Sequence, residues 1–167
     1  MGALPDMWRV ELWHPLVVHL PIGVLIFGVL AWLAGAMTNP GGPRGFLRPA
    51  ARLALSVGTA GAWLAVYTGD LADAEVVRTL CDPTVVERHE NLAWICAITF
   101  TVATVLEFVR GVTGLSRGLR LALRVVIALG LCLGIALLGY VGHLGAKLVY
   151  QQGAAVYHPS EMCTEFE

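Results

Sequence analysis

Charged residues are scarce in this sequence. They make up 14% of the 167 residues, and 57% are hydrophobic, whereas about a quarter of the residues in soluble domains are charged. Uncharged runs of about 20 residues mark membrane helices, because a helix satisfies its own backbone hydrogen bonds in lipid. A basic patch is also lacking, since the formal net charge is −1. The sequence therefore predicts one compact membrane domain and no nucleic-acid partner.

Two kinds of metal-site motif are missing. The four cysteines form no Cys-x-x-Cys-His sequence, so covalent attachment of a c-type haem is excluded. The deep parts of the apolar runs hold no carboxylate, which argues against a di-iron site of the Glu-x-x-His kind. Glu107 falls near the end of its run, where it would snorkel to the interface or pair with Arg110.

Four apolar runs predict an all-α fold, a membrane four-helix bundle. The predicted spans cover about 15–37, 51–68, 83–109 and 119–142, and the last continues as helix through Lys147. The acidic segment from Gly69 to Asp82 is predicted as the second loop. The transmembrane domain is expected over 1–150, with a polar periplasmic tail over 151–167.

The arginines predict the orientation of the bundle. The first and third loops and their flanks hold most of them: Arg44, Arg48, Arg52, Arg110, Arg117, Arg120 and Arg124. Because cytoplasmic loops carry an excess of basic residues, both termini and the second loop are predicted to lie on the outer, periplasmic side. The expected location is the bacterial inner membrane.

Histidines from three different spans fall at the outer level of this predicted bundle: His14, His19, His89 and His143. Intramembrane histidines are candidates for function, because imidazole is costly in hydrocarbon without a partner. Neutral imidazole is also the commonest metal ligand. Converging imidazoles in a helical bundle are typical of a metal or haem site.

A b-type haem needs an imidazole on each face and flat room for the ring. Three glycines around His143 would supply that room, and two more could do so from the second helix: Gly139, Gly142 and Gly145, then Gly58 and Gly61. Arg88 and Lys147 would neutralise the propionates. His19, His89 and His143 are the first-choice axial ligands, and His14 is the candidate for a fourth.

The residues leave other interpretations open. Four histidines would serve one or two haems, or a Zn or Cu site, since three histidines plus an open position are a known zinc arrangement. Alternatively, the histidines lie at the membrane interface and form hydrogen bonds with the backbone or water. The protein would then be a non-catalytic accessory subunit, with Gly130 and Gly134 among its contact surfaces.

The cysteines divide into two pairs. Cys81 and Cys163 fall in predicted outer segments, and an oxidising periplasm favours a disulfide between them. Cys96 and Cys132 lie within spans and are predicted to be small core residues.

Three segments resemble the DUF2231 family: His14 to Ile22, Arg88 to Leu92, and Gly142 to Tyr150. Ala146 stands where the family commonly has a second glycine. The resemblance implies a small bacterial four-helix membrane protein of a family whose members are sometimes fused to or found with cytochrome c domains. It also implies that the four histidines matter.

These observations together predict an electron-transfer subunit rather than a stand-alone enzyme. A b-type haem would pass electrons between a periplasmic partner, such as a cytochrome c or an oxidoreductase, and another subunit of a redox complex. The membrane quinone pool is a further predicted partner. The cofactor, not the protein, would carry the redox step.

Overall fold

The computed structural model describes residues 6–39 and 41–156. The described residues are 82% helical, and four long helices account for their fold: α1 (Trp13–Ala36), α2 (Leu47–Val76), α3 (Thr84–Arg110) and α4 (Arg117–Gln152). Short 3₁₀ turns, Val10–Leu12 and Val77–Thr79, precede α1 and follow α2. All four helices are long and apolar enough to cross a membrane. The predicted all-α membrane protein with four spans is confirmed.

Helix α2 differs most from the prediction. It continues past Thr68 to Val76, so most of the predicted loop from Gly69 to Asp82 is helical. Apolar composition marks the stretch that suits lipid, whereas a helix continues as long as its backbone bonds form. The acids Asp70 and Glu75 are exposed on these last turns, so helical structure extends beyond the apolar span.

The loop before α3 ends in a turn that Asp82 holds by hydrogen bonds. Asp82 Oδ1 accepts hydrogen bonds from the Thr84 hydroxyl at 2.6 Å and the Thr84 backbone N–H at 3.0 Å. These bonds hold the pKa of Asp82 below its ordinary value, because they favour the charged carboxylate. The N-cap residue of α3 is Pro83, which makes no side-chain cap bond, so the carboxylate stabilises the turn that precedes the helix.

Seen along the bundle axis, the four helices lie at the corners of a square, and two pairs of neighbouring helices pack most extensively. Helix α1 packs along α2, α3 packs along α4, and α2 contacts α3, while α1 and α4 meet only lightly. Helices α1 and α3 therefore face each other diagonally. We call the end at which α1 and α3 begin the histidine end, and the end at which α2 and α4 begin the arginine end.

Large apolar side chains fill the core at the centre of the square. The fully buried ones come from all four helices: Leu25, Leu55, Phe100, Ile127 and Leu131. Many other large apolar side chains are exposed, as expected for helices that face lipid. Cys96 is buried, as predicted, but Cys132 is exposed on α4. The prediction of Cys132 as a core residue is wrong, because apolar sequence alone does not show which face of a helix points inward.

Close packing of α1 against α2 uses two of the glycines. A Cβ added at Gly58 would lie 2.7 Å from the Leu25 side chain, and one at Gly61 would lie 3.1 Å from Pro21. Side chains of α1 therefore occupy the space beside Gly58 and Gly61. These glycines provide a helix contact rather than the flat room for a ligand that the sequence suggested.

The GxxxG pair of α4 gives a matched test of this packing. A Cβ at Gly134 would lie 2.9 Å from the Phe100 ring, whereas one at Gly130 would lie 3.6 Å from Ala103, an ordinary contact. We expect Gly134→Ala to lower the free energy of unfolding by about 1–3 kcal/mol through overpacking. Gly130→Ala, which brings the same gain in helix propensity, should cost less. Denaturation in detergent measures both, and equal stability of the two variants would contradict this packing.

Candidate metal centre

Two histidines meet across the diagonal of the bundle at its histidine end. The ring centroids of His14, on α1, and His89, on α3, lie 6.0 Å apart, and the ring planes are at 89° to each other. Both side chains are partly buried. Helices α1 and α3 do not pack along each other, so these two rings bridge the space between them.

Backbone carbonyls of the other two helices orient the rings. His14 Nδ1 lies 2.9 Å from the carbonyl oxygen of Ala65 on α2, and His89 Nδ1 lies 3.1 Å from that of Val141 on α4. A carbonyl only accepts, so each Nδ1 carries the hydrogen and donates it. The neutral rings then keep their Nε2 lone pairs, which is the form of histidine that binds a metal.

Glycines allow the backbone of α2 and α4 to approach these rings. A Cβ added at Gly69 would lie 3.2 Å from the His14 ring, and one at Gly145 would lie 3.3 Å from His89 Cε1. Nothing lies within 4 Å of a Cβ added at Gly139 or Gly142. Of the three glycines predicted around His143, only Gly145 adjoins a histidine ring.

The other two candidate histidines are exposed. His19 Nδ1 bonds the carbonyl of Pro15 one turn earlier in its own helix. His143 stacks on Tyr140, with ring centroids 6.4 Å apart. The structure thus brings together two of the four predicted ligands, His14 and His89, and places His19 and His143 on the surface of the chain.

A cleft of about 370 Å³ lies between α3 and α4, and His89 itself is not among its lining residues. Its lining residues are Thr84, Glu87, Arg88, Asn91, Leu92 and Tyr140. The Arg88 guanidinium lies 5.5 Å from the centroid of the Tyr140 ring, a cation–π distance. Arg88 was predicted from the sequence as a binding residue, whereas Tyr140 was not. Tyr140 lies three residues before His143 and so on the same face of α4. That spacing was the sequence signal that could have identified Tyr140 as a candidate.

The donor set of the centre is small. Within residues 6–39 and 41–156, no group of three or more His, Cys, Asp or Glu side chains is arranged to hold a metal ion. Cys81 is exposed, and Cys163 lies outside the described residues, so the disulfide between them stays a prediction. The centre therefore offers two imidazoles, each oriented by a backbone carbonyl.

The carbonyls of Ala65 and Val141 are the parts of this centre that sequence reasoning missed. Every residue carries a carbonyl, so the sequence gives no signal for them. Gly69 was also missed because it fell in the predicted second loop.

Comparison with known proteins gives one match. Residues 13–158 match the model of a family described as "Predicted membrane protein (DUF2231)". No curated protein and no solved structure matches the chain.

Proposed function

We propose that this chain, which belongs to the DUF2231 family of predicted membrane proteins, is a membrane subunit that binds one b-type haem between His14 and His89 and transfers electrons. The observation that carries the proposal is the pair of imidazoles from diagonal helices, 6.0 Å apart between centroids. A metal–nitrogen bond of about 2.0 Å on each side of one metal ion gives a centroid separation of roughly 6 Å.

The number of ligands favours haem over a bare metal ion. Zinc sites take three or four protein ligands, and the described residues bring only two together. A haem would bring the other donors of its iron in its own porphyrin, so two imidazoles from the protein would be enough to hold it. A pair of imidazoles therefore suits haem better than the Zn or Cu alternative.

The surroundings of the rings also suit metal ligation. Each ring donates Nδ1–H to a carbonyl, of Ala65 or Val141, which fixes the tautomer and raises the basicity of Nε2. Arg88, the residue before His89 on α3, is the cation that would hold a propionate, and Lys147 on α4 is a second.

We infer from the position of the centre where a redox partner would exchange electrons with it. The haem would supply one-electron redox chemistry, and it would lie near the histidine end of the bundle. With the arginine end in the cytoplasm, the histidine end of a bacterial inner-membrane protein faces the periplasm. A periplasmic redox protein such as a cytochrome c would be the partner there, and the quinone pool or another subunit would be the second partner.

The glycine beside His89 gives a sharp test of the ligand geometry. Gly145→Leu should push against the His89 ring, because even a Cβ would lie 3.3 Å from Cε1, and should lower the haem content of the purified protein severalfold. Gly142→Leu, on the same helix and with open space around it, should keep the wild-type haem content. Equal haem contents in the two variants would contradict the assignment of His89.

The electron-transfer function is tested with the purified protein in detergent. Its absorption spectrum should show a Soret band and a reduced α-band after dithionite. The reduced protein should then be oxidised by a soluble ferric cytochrome c, used as the periplasmic probe, or by a water-soluble quinone. A protein that binds haem but reacts with neither probe would contradict electron transfer.

A colourless protein with zinc or copper by elemental analysis would support the bare metal site. A colourless and metal-free protein would support the remaining alternative, a non-catalytic accessory subunit.

A further inference from the structure

The arginine end of the bundle holds a buried ion cluster. Glu107, on α3, is only 3% exposed and accepts hydrogen bonds from Arg110 at 2.7 and 2.9 Å, from Arg52 at 3.2 Å and from Trp32 Nε1 at 2.9 Å. The carboxylate therefore links α1, α2 and α3.

Two more arginines bind the end of α1. Arg48 donates to the carbonyls of Gly35 and Thr38 at 3.2 and 3.1 Å, and Arg124, on α4, donates to the carbonyl of Ala36. The carbonyls of Gly35 and Ala36 belong to the last turn of α1, so these guanidinium groups complement the negative end of its dipole.

The positive charge at this end exceeds the negative charge that the described residues supply there. Four guanidinium groups meet one carboxylate, and the end of α1 contributes about half a negative charge. A cleft of about 40 Å³ between the helices is lined by three of the arginines, Arg48, Arg110 and Arg124, and by the Glu107 carboxylate, whose charge Arg52 and Arg110 already pair. The cleft therefore has room for oxygen-sized groups beside the guanidinium groups.

We propose that this cleft binds a phosphate group, and that an anionic phospholipid presents it. Guanidinium groups recognise phosphate oxygens through charge-assisted hydrogen bonds, and basic pockets between membrane helices at the cytoplasmic side suit anionic headgroups. The cleft lies at the ends of membrane-spanning helices, where headgroup phosphates lie. Helices α1 and α4 meet only lightly and Arg124 is exposed, so a lipid would reach the cleft from the bilayer. The proposal does not depend on the histidine centre.

Native mass spectrometry of the full chain in detergent tests the proposal by titration with phosphatidylglycerol. We expect Arg124→Gln and Arg48→Gln to weaken this binding about tenfold, whereas Arg117→Gln, an exposed arginine outside the cleft, should leave it unchanged. Zwitterionic phosphatidylcholine should bind more weakly than phosphatidylglycerol. Similar lipid affinity in all three variants, or equal binding of the two lipids, would overturn the proposal.

Two further measurements identify the source of the phosphate and guard against misfolding. Inorganic phosphate at the lipid's concentration should not displace phosphatidylglycerol. Displacement that Arg124→Gln abolishes would instead assign the cleft to free phosphate. If a variant fails to fold, the wild type still decides: phosphatidylglycerol should raise its melting temperature more than phosphatidylcholine does, and equal effects of the two lipids would contradict the proposal.

Discussion

His89→Ala is expected to reduce the haem content of the purified protein to less than a tenth of the wild-type value. Changes to the outer-shell partners of a metal ligand alone cost 10–100-fold in affinity, so loss of an axial ligand should cost at least as much. His14→Ala should have the same effect, because the centroid of its ring lies 6.0 Å from that of His89. Absorption at the Soret band, normalised to protein, measures the haem content.

The exposed histidines provide matched controls for this prediction. His143→Ala and His19→Ala remove the same side chain from α4 and α1 and should leave the haem content close to that of the wild type. If His143→Ala lost haem while His14→Ala kept it, the axial pair would be a different one from the pair that the structure brings together.

Glu107→Ala is expected to lower the free energy of unfolding by about 3 kcal/mol. Removing one partner of a buried ion pair costs 3–5 kcal/mol, because it leaves charge uncompensated. The lower end applies here, since Arg52 and Arg110 are 39% and 23% exposed and can regain water. Trp32 also loses its acceptor. Unfolding of the detergent-solubilised protein by increasing fractions of SDS measures the change.

Two variants control the Glu107 experiment. Glu87→Ala removes an exposed carboxylate from the same helix at its other end and should change stability little. Glu107→Gln keeps an oxygen that can accept from Trp32 but removes the charge, so its loss of stability should lie between the other two. Equal stability of Glu107→Ala and Glu87→Ala would show that the cluster does not support the fold.

The fold was largely predictable because lipid imposes a strong constraint on sequence. Only a helix of about 20 apolar residues crosses hydrocarbon with its backbone satisfied, and four such runs are visible. The boundaries were less predictable. The helix end at Val76 depends on backbone bonding beyond the lipid, which hydropathy does not report.

The arrangement of the site was only partly predictable because sequence does not give the rotation of each helix about its axis. His14 and His19 are five residues apart, which places them about 140° apart around α1. The two side chains therefore cannot both point toward the bundle axis. In the structure His14 is partly buried, and His19 is exposed.

The same limitation applies to Glu107. Its pairing with Arg110 was one of two predicted alternatives, because that contact is local to α3, and the structure confirms it. Its contacts with Arg52 and Trp32 come from other helices and need the packed structure.

The haem content of the wild-type protein tests the central claim most directly. A pyridine haemochrome assay on protein purified in detergent, with the protein concentration determined independently, should give about one haem b per chain. The result follows from one pair of neighbouring imidazoles, His14 and His89, in the described part of the bundle. A protein purified from haem-replete cells that contains no haem, and takes up none when haem is added, would contradict the account.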